Sequence, residues 1–267
     1  MKDRRFRVLF VLSVLLLLAC EAAGRLIATD AGWFPMAETI VTRVIGSLIF
    51  VALIRRIGYP VLGKPAVGRE ERGHAAVIVL ACAVALNNLP VIGLVSGKAR
   101  ITASPPTILL FAVECAAVGC FEELAFRGFL FPYCAERLRG KKHPAFLSAL
   151  ISSAVFGLVH LVNLLSGASP GAVLMQIGYS FLIGGLCVCV LLASGSVWAA
   201  AAGHAVYNFC GTILSRFGEG LRWDRVTVWL TAGLGLVVTA VMLGFLSGSY
   251  FGGADRALER VLPDKHE

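Results

Sequence analysis

The sequence predicts an all-α, polytopic integral membrane bundle of about eight transmembrane helices, and three observations carry that prediction. Hydrophobic residues make up 58% of the 267-residue chain and charged residues only 15%, whereas a soluble domain is about 45–50% apolar and about 25% charged. Mean hydropathy is +0.82, an excess that one globular core of this length cannot hide. The apolar residues gather in runs of about 20, the length that crosses a bilayer as a helix, without the alternation a β-barrel needs.

Eight segments fit, at roughly 8–28, 37–54, 75–95, 106–134, 145–165, 171–193, 196–216 and 226–246. Turn signals separate them, among them Gly32 to Pro35, Gly58 to Gly73, Pro105-Pro106, Lys141 to Pro144, Ser169-Pro170-Gly171 and Ser194-Gly195-Ser196. The first segment also has the form of a signal peptide, with a basic start and a short apolar run ending at Leu17-Leu18-Ala19-Cys20. Cleavage there would leave seven spans. The apolar pattern resumes at Leu26, however, and Glu21 and Arg25 are spaced to pair on one helix face, so the segment is retained as a span. Asn87, Asn88 and Pro90 interrupt the third segment and mark a kink or a wet pocket. The fourth is unusually long. With no repeat or soluble module, residues 1–267 read as a single transmembrane domain.

The formal charge of +8 is explained by topology. With the N-terminus inside, sixteen of the 24 Lys and Arg residues fall in inside segments and five in outside loops. That bias places both termini in the cytoplasm and requires an even number of spans. No basic stretch is interleaved with aromatics, so nucleic-acid binding is rejected. The eight cysteines form no CxxC and lie mostly in apolar runs, as small buried hydrophobes do.

Three fragments break the apolar pattern: Glu122-Glu123 with Arg127, Phe156 with His160, and His204 with Asn208. A charge at the bilayer centre costs roughly 2.5–3.5 kcal/mol on insertion scales, so such residues face a bundle interior or a watered cavity and suggest a site. Glu123 and Arg127 are four apart, Glu first, the better order for a helical ion pair. Glu122 lies about 100° away round the helix and is free to act as a base. His204 and Asn208 share a face and follow the small residues Ala199 to Gly203, which allow close helix approach. Two donors aimed at one point stabilise an oxyanion. Glu122, aided by His160, would then activate water, with His204 and Asn208 holding the oxyanion and Glu123 and Arg127 in support. The same Glu122, His160 and His204 form a two-His-one-carboxylate set compatible with zinc, but the chain has no His-Glu-x-x-His, and the metal-free, cofactor-free reading is preferred. Glu114 is expected to line the cavity or pair with Arg43 or Arg25. His74, His143 and His266 are expected in solvent, and Gly184, Gly185, Gly233 and Gly235 at helix contacts.

These fragments resemble the CAAX prenyl protease type II and bacteriocin-processing family, known as CPBP or Abi. Its pattern is Glu-Glu-x-x-x-Arg, Phe-x-x-x-His and His-x-x-x-Asn, present here in order as Glu122-Glu123 to Arg127, Phe156 to His160 and His204 to Asn208. The resemblance covers about residues 106–212. It implies an intramembrane endopeptidase in which Glu122 is the water-activating base, Glu123 and Arg127 support it, and His160, His204 and Asn208 complete the site. Members were first proposed to be zinc enzymes and later viewed as glutamate-dependent. The expected partners are the bilayer and a protein or peptide substrate, lipid-modified or membrane-anchored forms included, and the expected location is a bacterial cytoplasmic membrane. The rival reading within the family is a non-catalytic immunity or regulatory membrane scaffold.

Overall fold

The computed structural model describes residues 34–66, 72–221, 223–248 and 254–263, with positions 8, 15 and 19. The predicted span 8–28 therefore lies outside the described residues. Helices account for nearly all the rest. They are α1 (Phe34–Ile57), α2 (Arg72–Asn87), the short α3 (Val91–Val95), α4 (Pro105–Glu123), α5 (Phe131–Leu138), α6 (Pro144–Val159), α7 (Pro170–Ser194), α8 (Val197–Phe217), α9 (Arg225–Leu246) and the short α10 (Ala254–Leu258). A π-helical turn, Leu124–Leu130, joins α4 to α5, and 3-10 turns occupy Pro60–Leu62 and His160–Ser166. Among the described residues, four helices are long and apolar enough to cross a membrane: Pro35–Ile57, Pro144–Leu165, Pro170–Ser194 and Arg225–Leu246. The chain is an all-α membrane bundle.

Local chemistry sets the ends. Proline opens α4, α6 and α7, where its missing N–H costs nothing. Ser169 caps α7 by accepting from the Ala172 amide, and Asp224 caps α9 by accepting from the Val226 and Thr227 amides. Gly195, with φ +67°, closes α7 in the left-handed region. The predicted third span stops at Asn87: Pro90 lacks the N–H to continue it, and Asn87 Nδ2 instead donates to Thr231 Oγ1 of α9 at 2.8 Å. One feature is absent from an all-α expectation. Ala99–Ile101 (β1) pairs antiparallel with Gly218–Gly220 (β2), clasping the ends of two connections together.

The connections sort to two ends. At one, the Ala66 amide donates to the Ser194 carbonyl, Ser196 Oγ to the Gly63 carbonyl and Trp198 Nε1 to the Leu62 carbonyl. Tyr59 donates to Glu136 at 3.1 Å, and burial together with that carboxylate pushes the Tyr59 hydroxyl far above its ordinary pKa. The C-terminal segment belongs to the same end. Asp255 accepts from the Ala145 amide in the first turn of α6 at 3.0 Å, while Ala257, Leu258, Val261 and Leu262 enter the main core. The strand pair closes the opposite end.

Glycines set the closest helix approaches. At Gly119 of α4 a Cβ would fall 2.9 Å from the Ala201 carbonyl oxygen and 3.0 Å from the Ala205 amide nitrogen of α8. At Gly157 of α6 it would meet the Ile177 carbonyl oxygen of α7 at 2.9 Å. These neighbours are backbone and cannot swing aside. Gly119→Val is therefore expected to force α4 and α8 apart one turn from Glu122 and Glu123, at about 1–3 kcal/mol of overpacking, read as a lower denaturation midpoint in detergent. An unchanged midpoint would remove Gly119 as the contact that seats α4 on α8.

Several sequence expectations are corrected. Glu114 accepts from Arg216 Nη1, in the last turn of α8, at 2.7 Å; Arg25 lies outside the described residues, and the Arg43 guanidinium lies 4.9 Å from the Phe121 ring centroid. His74 is buried in α2, its ring edge-on to Phe245. His143 is exposed as expected, and His266 lies outside the described residues. Gly184 and Gly185 do sit at packing contacts, against Ser153 and Met242 among others, whereas Gly233 and Gly235 have nothing within 4 Å of a built Cβ. Cys115, Cys134, Cys187, Cys189 and Cys210 are buried free thiols, and Cys82 is exposed.

Candidate active site

The site begins where α4 widens into the π turn. A π turn breaks the i→i−4 ladder and is a frequent mark of functional sites. Here the Phe126 carbonyl accepts the i+5 bond from the Phe131 amide and a second bond from Ser152 Oγ of α6, at 3.1 Å in a fully buried contact. Glu122 and Glu123 close the α-helical part and Arg127 sits within the turn.

Adjacent in sequence, the two glutamates have different surroundings. Glu123 is fully buried. Its Oε1 accepts from Arg127 Nη1 at 3.0 Å and from His204 Nδ1 at 2.7 Å. Arg127 is equally buried, its guanidinium 4.5 Å from the Phe156 ring centroid, a favourable cation–π placement. It fits only because position 184 is glycine: a Cβ there would stand 2.8 Å from Arg127 Nη2. Two charges taken out of water cost several kcal/mol each, and only close pairing offsets that. The predicted Glu123–Arg127 pair is thus a buried strut that also fixes the ring of His204.

A carboxylate only accepts, so His204 Nδ1 carries a proton and its Nε2 is turned to the other glutamate, 3.5 Å from Glu122 Oε2. Phe156 packs edge-on against both histidine rings, with centroids 5.3 Å from His160 and 5.8 Å from His204. His160 is tied to the same residue: its Nδ1 lies 3.0 Å from the Phe156 carbonyl oxygen. A carbonyl also only accepts, so Nδ1–H donates, which in the neutral tautomer leaves the lone pair on Nε2.

Glu122 alone of the pair faces open space. It shares a cavity of about 220 Å³ with His160, His204 and Asn208, and a second of about 180 Å³ with His160, Asn163 and Gln176. All four residues proposed for chemistry thus reach one cavity, with Glu123 and Arg127 behind its wall. α4, the π turn and α5 run without a break from residue 105 to 138, roughly 50 Å at the α-helical rise, with Glu122 at mid-length, and His160 follows directly on the end of α6. Sequence reasoning missed Gln176, Asn163, Tyr207 and Thr212, which also line the cavities. Gln176 had a signal, as the one amide in an otherwise apolar span.

The residues present fit a metal poorly. The potential ligand atoms that gather within 4.8 Å among the described residues belong to Glu123, Cys187 and His204, not to the Glu122, His160 and His204 set. In that cluster the Glu123 oxygen already accepts from a guanidinium at 3.0 Å, a cation standing where a second would have to bind.

Residues 104–210 match the family model described as type II CAAX prenyl endopeptidase, Rce1-like. No curated protein and no solved structure matches the chain. The matched stretch runs from the start of α4 almost to the end of α8 and contains Glu122, Glu123, Arg127, His160, His204 and Asn208. It agrees with the resemblance read from the motifs, and a protease family implies a protein or peptide substrate. Over residues 104–210, this membrane protein is similar to the Rce1-like family of type II CAAX prenyl endopeptidases.

Proposed function

We propose that the chain hydrolyses a peptide bond of a protein or peptide at the membrane, by attack of a water that Glu122 activates, without a metal. The observation that carries this is the convergence of Glu122, His160, His204 and Asn208 on one cavity, with His204 bridging toward both glutamates. Glu122 takes a proton from water as the oxygen attacks the substrate carbonyl, while His160 Nε2 accepts the water's other hydrogen and fixes its direction. The carbonyl oxygen gathers negative charge and is met by donors from His204 Nε2–H and the Asn208 amide, preset donors of the kind that contribute most to such reactions. The C–N bond then breaks as Glu122 returns its proton to the leaving amine. Glu123 and Arg127 hold His204 in register and touch no substrate. The 1–267 chain acts as one domain in a bacterial cytoplasmic membrane with both termini cytoplasmic.

The test uses the chain purified in detergent beside its Glu122→Ala variant, against fluorogenic peptides with prenylated and unmodified C-termini, each with and without a strong chelator. Cleavage by wild type alone, unchanged by chelator, is expected. Loss with chelator and recovery with zinc would overturn the metal-free mechanism. Equal cleavage by both proteins would overturn the role of Glu122.

A further inference from the structure

Gln176 stands where the two cavities meet. It lines both, and so do Glu122, Phe156 and His160. It is half-buried on α7, among residues that otherwise face lipid or core, with Leu174 and Met175 beside it largely exposed. Its amide has a defined orientation: Asn163 Nδ2, from the 3-10 turn after His160, donates to Gln176 Oε1 at 2.8 Å. With its oxygen engaged, Gln176 offers the cavities its NH₂ group, two donors and no acceptor.

We infer that Gln176 is a substrate-binding residue that holds the peptide backbone across the junction of the two cavities, donating from Nε2 to a substrate carbonyl next to the scissile bond. The inference rests on the proposed peptidase function and adds a residue to it. A peptide lying past Glu122 and His160 must extend into both cavities, because both open on those residues. Within a bilayer each of its backbone carbonyls needs a donor, since no bulk water supplies one. Phe126, Phe156, Val159 and Val162 supply none from their side chains. Gln176 is the donor common to both spaces, and Asn163 is the positioning residue that keeps the amide from turning its oxygen inward.

Gln176→Glu separates this role from a structural one. The carboxylate still accepts from Asn163, so the tie between α7 and the 3-10 turn survives, but the donor is gone and a carbonyl would meet an acceptor. Binding is read directly in a Glu122→Gln background, using fluorescent forms of the prenylated and unmodified peptides, and KM and kcat are read in the active protein. Gln176→Glu is expected to raise Kd and KM about tenfold or more with kcat changed less than about threefold, tenfold being the usual scale for one hydrogen bond of about 1.4 kcal/mol. Asn163→Ala is expected to give a smaller rise of the same kind, because the freed amide spends part of its time reversed. Gln176→Met, which loses donor and tie together, should match or exceed Gln176→Glu. An unchanged Kd in Gln176→Glu overturns the inference, and so does a fall in kcat at constant KM. Binding of no peptide by the wild-type site overturns it as well. Absence of cleavage by wild type with Kd still sensitive to Gln176 would instead count against the peptidase function alone.

Discussion

Glu122→Gln is expected to lower kcat by roughly a hundredfold to ten-thousandfold, the range over which a general base contributes, while the protein unfolds at the wild-type denaturant midpoint. Both halves of that outcome follow from where the side chain sits. Glu122 borders both cavities, and His204 Nε2 is 3.5 Å from its carboxylate, longer than a good charge-assisted hydrogen bond. An amide of the same shape fills the same volume and leaves no buried group unpaired, so little stability is at stake. What it lacks is the basic oxygen that removes a proton from water. The same change at Glu123, one residue on, should behave oppositely in stability, because it neutralises the acceptor shared by Arg127 and His204. Activity and midpoint measured on the two variants side by side separate base from strut. Equal midpoints with equal activity losses would mean that the two carboxylates are not divided in this way.

That division was half legible in the sequence. The order Glu123 then Arg127 at four residues, and His204 then Asn208 at four, gave faces and pairing, since helical spacing alone puts such residues side by side. The small residues Ala199 to Gly203 announced a close approach before His204. The structure makes it at Ala201 and Ala205, against a glycine of α4 that had no distinguishing mark in the sequence. The helices at predicted spans two and four to eight were legible because each carries its own apolar run and turn signals, and those at spans two, five, six and eight are long and apolar enough to cross a membrane. The third overran its true end at Asn87, where the proline three residues on decided the matter.

What stayed hidden depends on distant partners. The π turn over residues 124–130 has no local signature, and its Phe126 carbonyl takes, besides the Phe131 amide, a second bond from Ser152, 26 residues on. Glu114 and Arg216 are 102 residues apart, and their pairing joins α4 to the last turn of α8. The start of α6 is capped by Asp255, 110 residues from Ala145. Gln176 and Asn163 become informative only when the 3-10 turn folds back along α7. Periodicity reports on one helix at a time, and each of these contacts joins two.

Arg127→Met is expected to be the most destabilising single change at the site, by about 3–5 kcal/mol, the cost of leaving one partner of a buried ion pair uncompensated. Methionine replaces the stem volume and keeps contact with Phe156, so lost packing is a small share. The charge left behind is the cause. Glu123 has no exposed surface, so bulk solvent does not reach it to take over from the guanidinium. Adding Glu123→Gln to Arg127→Met removes the stranded charge and should recover part of the midpoint, whereas two independent losses would simply accumulate. Activity should not return with it, because an amide at 123 no longer presents an anionic oxygen to His204 Nδ1 and the imidazole loses the partner that turns Nε2 toward Glu122. A double variant as unstable as the arginine variant would show that Arg127 acts through packing. One that regained both midpoint and cleavage would show that His204 does not depend on Glu123 for its orientation.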